Sequence, residues 1–338
     1  MEQHPSDIPR YERVVADRAP ATLAEEQVRA LDERARAYRA RVKRHPGRHD
    51  VLTVGLILGL LALDVALVAV AGRLGSPWAG VALAALAHGY LTYSLTIYTM
   101  HEGAGHDLLI LGRSPLARAL RPLANQTCRL FFADPVHYAA VHPTHHGQLG
   151  TEGDRAYTHY VAPERFARSL LPLAGLLPFN DYVIHTDHSF SRSHVRSLVV
   201  GGAYHVGLAV LLVPGLGWLR TLLVLVVLAP WVAFTLDRVR ETYDHLFTPV
   251  HRRFGARSLG LGGAGMVFGG GPWGQPCHLA HHFAPGLPWY LQLRFHLDFR
   301  RLLTPAQRAA LLTPGPVAFA RTYARNLRLM RRAARLVP

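Results

Sequence analysis

Four apolar segments, each long enough for one membrane crossing, set the strongest limit on how this chain can fold. They cover about residues 51–71, 78–98, 198–216 and 218–236. A helix needs about 20 mainly apolar residues to cross the hydrocarbon core of a bilayer. The segments therefore predict an all-α membrane protein with four transmembrane helices.

Short turns at residues 72–77 and 214–218 join these predicted helices in pairs, which indicates two helical hairpins. Basic residues favour the cytosolic side of a membrane protein, and several precede the first hairpin. They are Arg34, Arg36, Arg39, Arg41, Lys43, Arg44 and Arg48. We therefore expect an integral, multi-pass protein whose two termini and long 99–197 connection lie in the cytosol.

Polar segments flank the predicted membrane domain on both sides. We expect residues 1–50 to be a basic cytosolic segment, residues 51–300 the membrane domain, and residues 301–338 a basic cytosolic tail. Residues 22–44 favour a helix, with acidic residues early and arginines late, as the helix dipole prefers. The net charge is +15, but the basic residues form no stripe interleaved with aromatic residues. We therefore expect no nucleic-acid partner.

Histidine is the candidate metal ligand, because two cysteines are too few for an iron–sulfur cluster or a four-cysteine zinc site. The chain has 21 histidines, and four motifs concentrate them. The motifs are HEGAGH (101–106), HPTHH (142–146), RETYDH (240–245) and HLAHH (278–282). All four lie at or beyond predicted cytosolic helix ends, which predicts one metal centre on that face. Neutral imidazole suits iron, copper and zinc, and adjacent histidines can reach two ions.

The HEGAGH motif differs in spacing from the helical zinc-protease motif. That motif requires histidines four residues apart on one helical face. His101 and His106 are five residues apart, so we expect no protease site.

Other histidines have different expected surroundings. His45 and His49 are expected at the surface. Asp64 and His88 fall within apolar segments, where a lipid-facing polar group is costly, so we expect both to face the protein interior. Two hypotheses stay open for His88: a structural hydrogen bond with Asp64, and a role in lining a substrate channel.

The histidine motifs together resemble the boxes of the membrane fatty acid desaturase family. HLAHHFAPGLPWYLQLRFH, residues 278–296, is similar to the family's His-x-x-His-His box followed by spaced prolines, a leucine and a further histidine. HPTHHGQLGTEGD, residues 142–154, resembles the second box with its trailing acidic residues, and RETYDH resembles the segment after the fourth span. The resemblance covers about residues 51–296.

This resemblance implies two iron ions, bound almost wholly by histidines in a cytosolic helical cap. Mapping box by box gives His101, His106, His142, His145, His146, His245, His278, His281 and His282. Glu241 and Asp244 are additional candidates.

The implied activity is O2-dependent desaturation of a fatty acyl or related lipid chain. The electrons would come from an external donor, a ferredoxin or a cytochrome b5-like protein. Two alternatives remain open. One is a hydroxylase, ketolase or acetylenase of the same superfamily acting on a carotenoid or specialised lipid. The other, from a different class, is a histidine-lined membrane metal transporter.

Overall fold

The computed structural model describes residues 23–148, 191–245, 253, 255–260 and 262–312, with a few single residues between 317 and 328. Within these ranges the chain is helical and has no strand, apart from one isolated bridge between Ser258 and Leu312. It divides into two compact units. The first unit comprises residues 23–44, 139–148 and the described residues from 239 on, and the second comprises residues 45–138 and 191–238. The predictions for residues 1–22 and for most of the tail lie outside the described residues.

The α-helices follow one another along the chain as α1 (Glu25–Arg44), α2 (Pro46–Ala71), α3 (Pro77–Ile97), α4 (Pro115–Gln126), α5 (Pro135–Gln148), α6 (Arg192–Leu216), α7 (Trp218–Leu222), α8 (Ala229–His245), α9 (Gly263–Phe268), α10 (His278–Phe283), α11 (Trp289–Leu302) and α12 (Pro305–Leu311). Two π-helices, Tyr98–Gly105 and Leu223–Leu228, continue α3 and join α7 to α8. A 3-10 helix, Thr127–Phe131, follows α4.

Four stretches of helix are long and apolar enough to cross a membrane, as expected of a multi-pass membrane protein. They are Pro46–Ala71, Pro77–Gly105, Arg192–Leu216 and Trp218–His245. Each contains one predicted apolar segment, so the prediction of four such helices is confirmed by length and composition. Trp78 and Trp218 stand at helix starts and are 63% and 68% exposed, as expected of aromatic residues at a membrane interface.

Local sequence explains where several helices begin. Ser76 caps α3 by accepting a hydrogen bond from the backbone N–H of Ala79, and Ser114 caps α4 in the same way. A proline follows each serine, at a position where the missing N–H costs nothing. These Ser-Pro pairs therefore fix the start of both helices.

The apolar core of the second unit joins all four membrane-length helices. Its buried members are Val68, Ala71, Val81, Ala84, Leu208, Leu212, Leu216, Val224 and Leu225. Small residues allow the backbones to approach closely: a Cβ atom on Gly215 would overlap the carbonyl oxygen of Gly72. A Cβ atom on Gly89 would lie 2.7 Å from the carbonyl oxygen of Ala229. This packing through small residues is typical of membrane helices.

In the first unit, aromatic residues pack α1, α10 and α11 together. Phe295 is fully buried, and its ring contacts those of Tyr38, Phe283 and Phe299. The Tyr38 hydroxyl also donates a hydrogen bond of 2.8 Å to Asp298. This core holds α10, the helix of the HLAHH motif, against α11.

Candidate metal centre

Four histidines of the first unit form one set, here called set A, with their ring nitrogens close together. The members are His145, His245, His278 and His282. All four are buried, and their candidate ligand nitrogens lie within 4.8 Å of one another. The Nε2 atom of His278 lies 2.7 Å from that of His245 and 3.0 Å from that of His282. Set A therefore offers four nitrogen donors around one point.

Three other histidines of the same unit form a second set, set B. The members are His142, His146 and His281. The Nε2 atom of His146 lies 3.1 Å from that of His142 and 3.0 Å from that of His281. His142 and His281 are buried, whereas His146 is half-buried. Set B therefore offers three nitrogen donors around another point.

The spacing of the His-x-x-His-His motif explains why the two sets share α5 and α10. Residues four apart lie on one face of a helix, whereas adjacent residues point about 100° apart. On α10, His278 and His282 therefore belong to set A, and His281 points to set B. On α5 the division is reversed, because this helix gives two histidines to set B and one to set A.

The donor chemistry of set A fits a bound cation. The Nε2 atom of a neutral imidazole carries either one hydrogen or one lone pair, so His278 satisfies at most one of its two Nε2 contacts. A cation among the three nitrogens satisfies both. Metal–nitrogen bonds of about 2.1 Å place neighbouring nitrogens about 3.0 to 3.4 Å apart in octahedral or tetrahedral geometry, near the observed 2.7 and 3.0 Å. Iron, copper and zinc all accept such donors.

Burial keeps at least one of these imidazoles in its metal-binding form. Desolvation lowers the pKa of His282 well below its ordinary value, and the imidazoles of His146 and His278 lower it further. His282 is therefore neutral near pH 7, and neutral imidazole is the form that binds metals.

Groups around the two sets hold the imidazoles in place. The side-chain amide of Gln292 lies 3.3 Å from Nδ1 of His281 and donates a hydrogen bond of 2.7 Å to the carbonyl oxygen of Leu287. The Ser258 hydroxyl accepts a hydrogen bond from the backbone N–H of Leu279, next to His278. The sequence did not identify Gln292 or Ser258, since neither belongs to a histidine motif.

Of the two acidic candidates, Asp244 belongs to neither set. Asp244 is fully buried, and its carboxylate accepts a hydrogen bond of 3.3 Å from Arg240. This contact gives Asp244 a role beside His245, in fixing the end of α8. The side chain of Glu241 lies outside the described residues.

In the second unit, the HEGAGH motif begins on the first π-helix and ends at the residue that caps it, His106. A π-helix pairs residues five apart, so its i and i+5 side chains become neighbours. The rings of His101 and His106 are accordingly 5.0 Å apart between centroids. The sequence does not predict this proximity, because residues five apart do not share a face of an α-helix.

The loop after His106 is fixed to the start of α2. The Asp50 carboxylate accepts hydrogen bonds from the backbone N–H groups of Leu111 and Gly112. The His49 ring lies 2.6 Å from the carbonyl oxygen of Leu108 and is 3% exposed. The prediction that His49 lies at the surface is therefore wrong, because the ring anchors this loop.

His296, the last residue of the 278–296 segment, belongs to neither set. It is buried on α11, and burial together with Arg300 lowers its pKa to about 4. His296 is therefore a neutral, buried residue in the middle of that helix.

Comparisons with known proteins give no match to this chain. No protein-family model matches it, and neither a curated protein nor a solved structure does.

Proposed function

We propose that this chain is a di-iron membrane desaturase that uses O2 to introduce a double bond into a fatty acyl or related lipid chain. The observation that carries this proposal is the presence of two histidine sets that share two helices, α5 and α10. Set A contains four imidazoles and set B three, and α5 and α10 contribute to both. Such an arrangement suits two ions held side by side.

The choice of iron rests on the sequence resemblance, because the donor atoms suit several metals. The resemblance to the desaturase family implies that His101 and His106 bind the same pair of irons as the other seven histidines. The π-helix supports a ligand role for them, because π-helical turns occur frequently at functional sites. The proposed centre therefore has nine histidine ligands.

When bound, two irons would activate O2 and supply the oxidant that an unactivated C–H bond requires, which no side chain can provide. The residues of the chain would position the ions and set the electrostatic environment around them. Burial of set A, and of His142 and His281 in set B, limits access of water and favours neutral imidazoles. Gln292 orients His281, and such outer contacts fix the tautomer of a ligand histidine.

The proposed topology is two hairpins with a cytosolic helical cap. The arginines of α1 and Arg48 precede the first membrane helix, and this pattern favours a cytosolic N-terminus. Four crossings then return the chain to the cytosol, where the C-terminus and both histidine sets are proposed to lie.

The same arginines suit an external electron donor. Arg36, Arg41 and Arg44 are exposed on α1. A basic surface steers an acidic partner by long-range attraction, which falls with ionic strength. A ferredoxin or a cytochrome b5-like protein is the proposed donor.

A metal transporter is a weaker proposal for this chain. Transport of a cation favours ionisable groups along the depth of the spans. Here Asp64, His88 and His205 contact one another in a single cluster. The histidine-rich sets A and B, by contrast, gather near the ends of α5, α8 and α10.

Lipid analysis tests the proposal directly. Mass spectrometry of lipids from a host that expresses the chain is expected to show a product with two fewer hydrogens. The His281→Ala variant should not form it, because the variant removes one donor of set B. Oxygen-containing products would favour the hydroxylase or ketolase alternative. Unchanged lipids from iron-loaded, folded protein with a competent donor would contradict both.

A further inference from the structure

A polar cluster lies within the membrane-length helices of the second unit and shares no residue with either histidine set. Its members are Asp64 of α2, His88 of α3, and Tyr204 and His205 of α6. Asp64 is 0% exposed and His88 1%, which confirms the prediction that both face inward. Tyr204 and His205 are half-buried. Ionisable groups inside membrane helices are costly and commonly functional.

The hydrogen bonds of the cluster fix one nitrogen of each imidazole. The Nδ1 atom of His88 lies 3.0 and 2.9 Å from the two carboxylate oxygens of Asp64. The Nδ1 atom of His205 lies 2.8 Å from the carbonyl oxygen of Gly201. Carbonyl and carboxylate oxygens only accept hydrogen bonds, so each Nδ1 carries a hydrogen while Asp64 is ionised.

The two remaining ring nitrogens then require one more proton. The Nε2 atoms of His88 and His205 are 3.3 Å apart. If both imidazoles were neutral, two lone pairs would face each other at that distance, which is repulsive. A proton on one Nε2 converts the contact into a hydrogen bond. The cluster holds the same number of protons if the additional proton is on Asp64 instead. The protonated carboxyl group then donates to Nδ1 of His88, and His88 carries its own hydrogen on Nε2.

The negative charge of Asp64 also indicates that the cluster holds one additional proton. A buried carboxylate is costly unless a positive charge compensates it. The Tyr204 hydroxyl donates a hydrogen bond of 2.6 Å to Asp64 but brings no charge. Arg129, on the 3-10 helix beside α6, directs its guanidinium to Ser193 and Ser197. One additional proton makes the cluster neutral, whereas a divalent cation would leave it positive and would find only two ring nitrogens.

We propose that Asp64, His88 and His205 form an intramembrane proton-binding site that relays one proton between the two imidazoles. In the transfer step, the N–H bond at Nε2 of His88 breaks as an N–H bond forms at Nε2 of His205, and no electron moves. Proton exchange with the surroundings occurs through His205, since Asp64 and His88 are buried. Because the three residues belong to α2, α3 and α6, loss of the proton also weakens the contact among these helices. This inference is independent of the iron chemistry proposed above.

A net-charge comparison tests the site. Free-solution capillary electrophoresis of the full-length protein in non-ionic detergent, near pH 7, is expected to give the same net charge for the native chain and Asp64→Asn. The substitution removes the carboxylate's negative charge and the compensating proton together. The matched control is Glu33→Gln on α1, which removes an exposed carboxylate and should raise the net charge by one. A rise of one charge in Asp64→Asn would overturn the proposal.

A second measurement on the native chain covers the case in which Asp64→Asn does not fold. Nitrogen-15 NMR of histidine-labelled protein at about pH 9, well above the ordinary imidazole pKa of about 6.5, should show a protonated Nε2 signal that changes in His205→Gln. Absence of such a signal would contradict a shared proton. The metal content of His205→Gln should equal that of the native chain. Loss of one metal per chain would show that the cluster binds a metal ion and not a proton.

Discussion

Replacing His278 by alanine is expected to abolish desaturation and to remove about half of the bound iron. The Nε2 atom of His278 lies between those of His245 and His282, at 2.7 and 3.0 Å, so this side chain is the central donor of set A. Loss of a group that only orients a ligand typically costs about 10- to 100-fold in metal affinity or activity, so loss of a ligand should cost at least about 100-fold. Metal analysis and lipid mass spectrometry measure the two effects.

The matched control for His278→Ala is His45→Ala. His45 is exposed, and its side chain makes no capping hydrogen bond at the start of α2. This variant should keep native iron content and activity. A His278→Ala protein with the iron and the products of the native chain would show that set A holds no catalytic metal.

Replacing Gly215 by alanine is expected to destabilise the packing of the membrane helices by more than about 3 kcal/mol. Overpacking of side chains in a core costs about 1–3 kcal/mol, and here the added Cβ atom meets backbone. It would overlap the carbonyl oxygen of Gly72, so α2 and α6 must separate. Thermal unfolding in detergent and the yield of monodisperse protein measure the loss.

Gly59→Ala provides the comparison for Gly215→Ala. A Cβ atom on Gly59 would meet nothing within 4 Å, and this glycine is exposed on α2. Alanine favours a helix over glycine by about 1 kcal/mol, so this variant should be as stable as the native chain or slightly more stable. Equal stability of the Gly215→Ala and native proteins would contradict the close approach of α2 and α6.

The sequence predicted the membrane-length helices well because hydropathy and length are local properties. The apolar segment at 198–216 corresponds to α6, whose end at Leu216 agrees with the prediction. The start of α6 at Arg192 was not predicted, because polar residues continue the helix there. The burial of His49 was also missed, since the carbonyl group it meets, that of Leu108, is distant in sequence.

The candidate site could be predicted as a list of histidines but not as two sets. The motif shows that His281 and His282 are adjacent. Only the packing of α10 against its neighbours places His281 in set B and His282 in set A. Gln292 reaches His281 from α11, and no histidine motif indicates it. The π-helix at HEGAGH was not predicted, because such turns are rare and lie within longer helices.

Metal analysis of the purified full-length chain tests the central claim most directly. Two irons per chain are expected, because sets A and B supply separate groups of four and three imidazoles. Iron content should persist as pH falls through the ordinary imidazole pKa of about 6.5 and should decrease only at lower pH, because protonation competes with metal binding and burial lowers the pKa of His282. One zinc per chain, with no iron after expression in iron-replete medium, would contradict a di-iron centre.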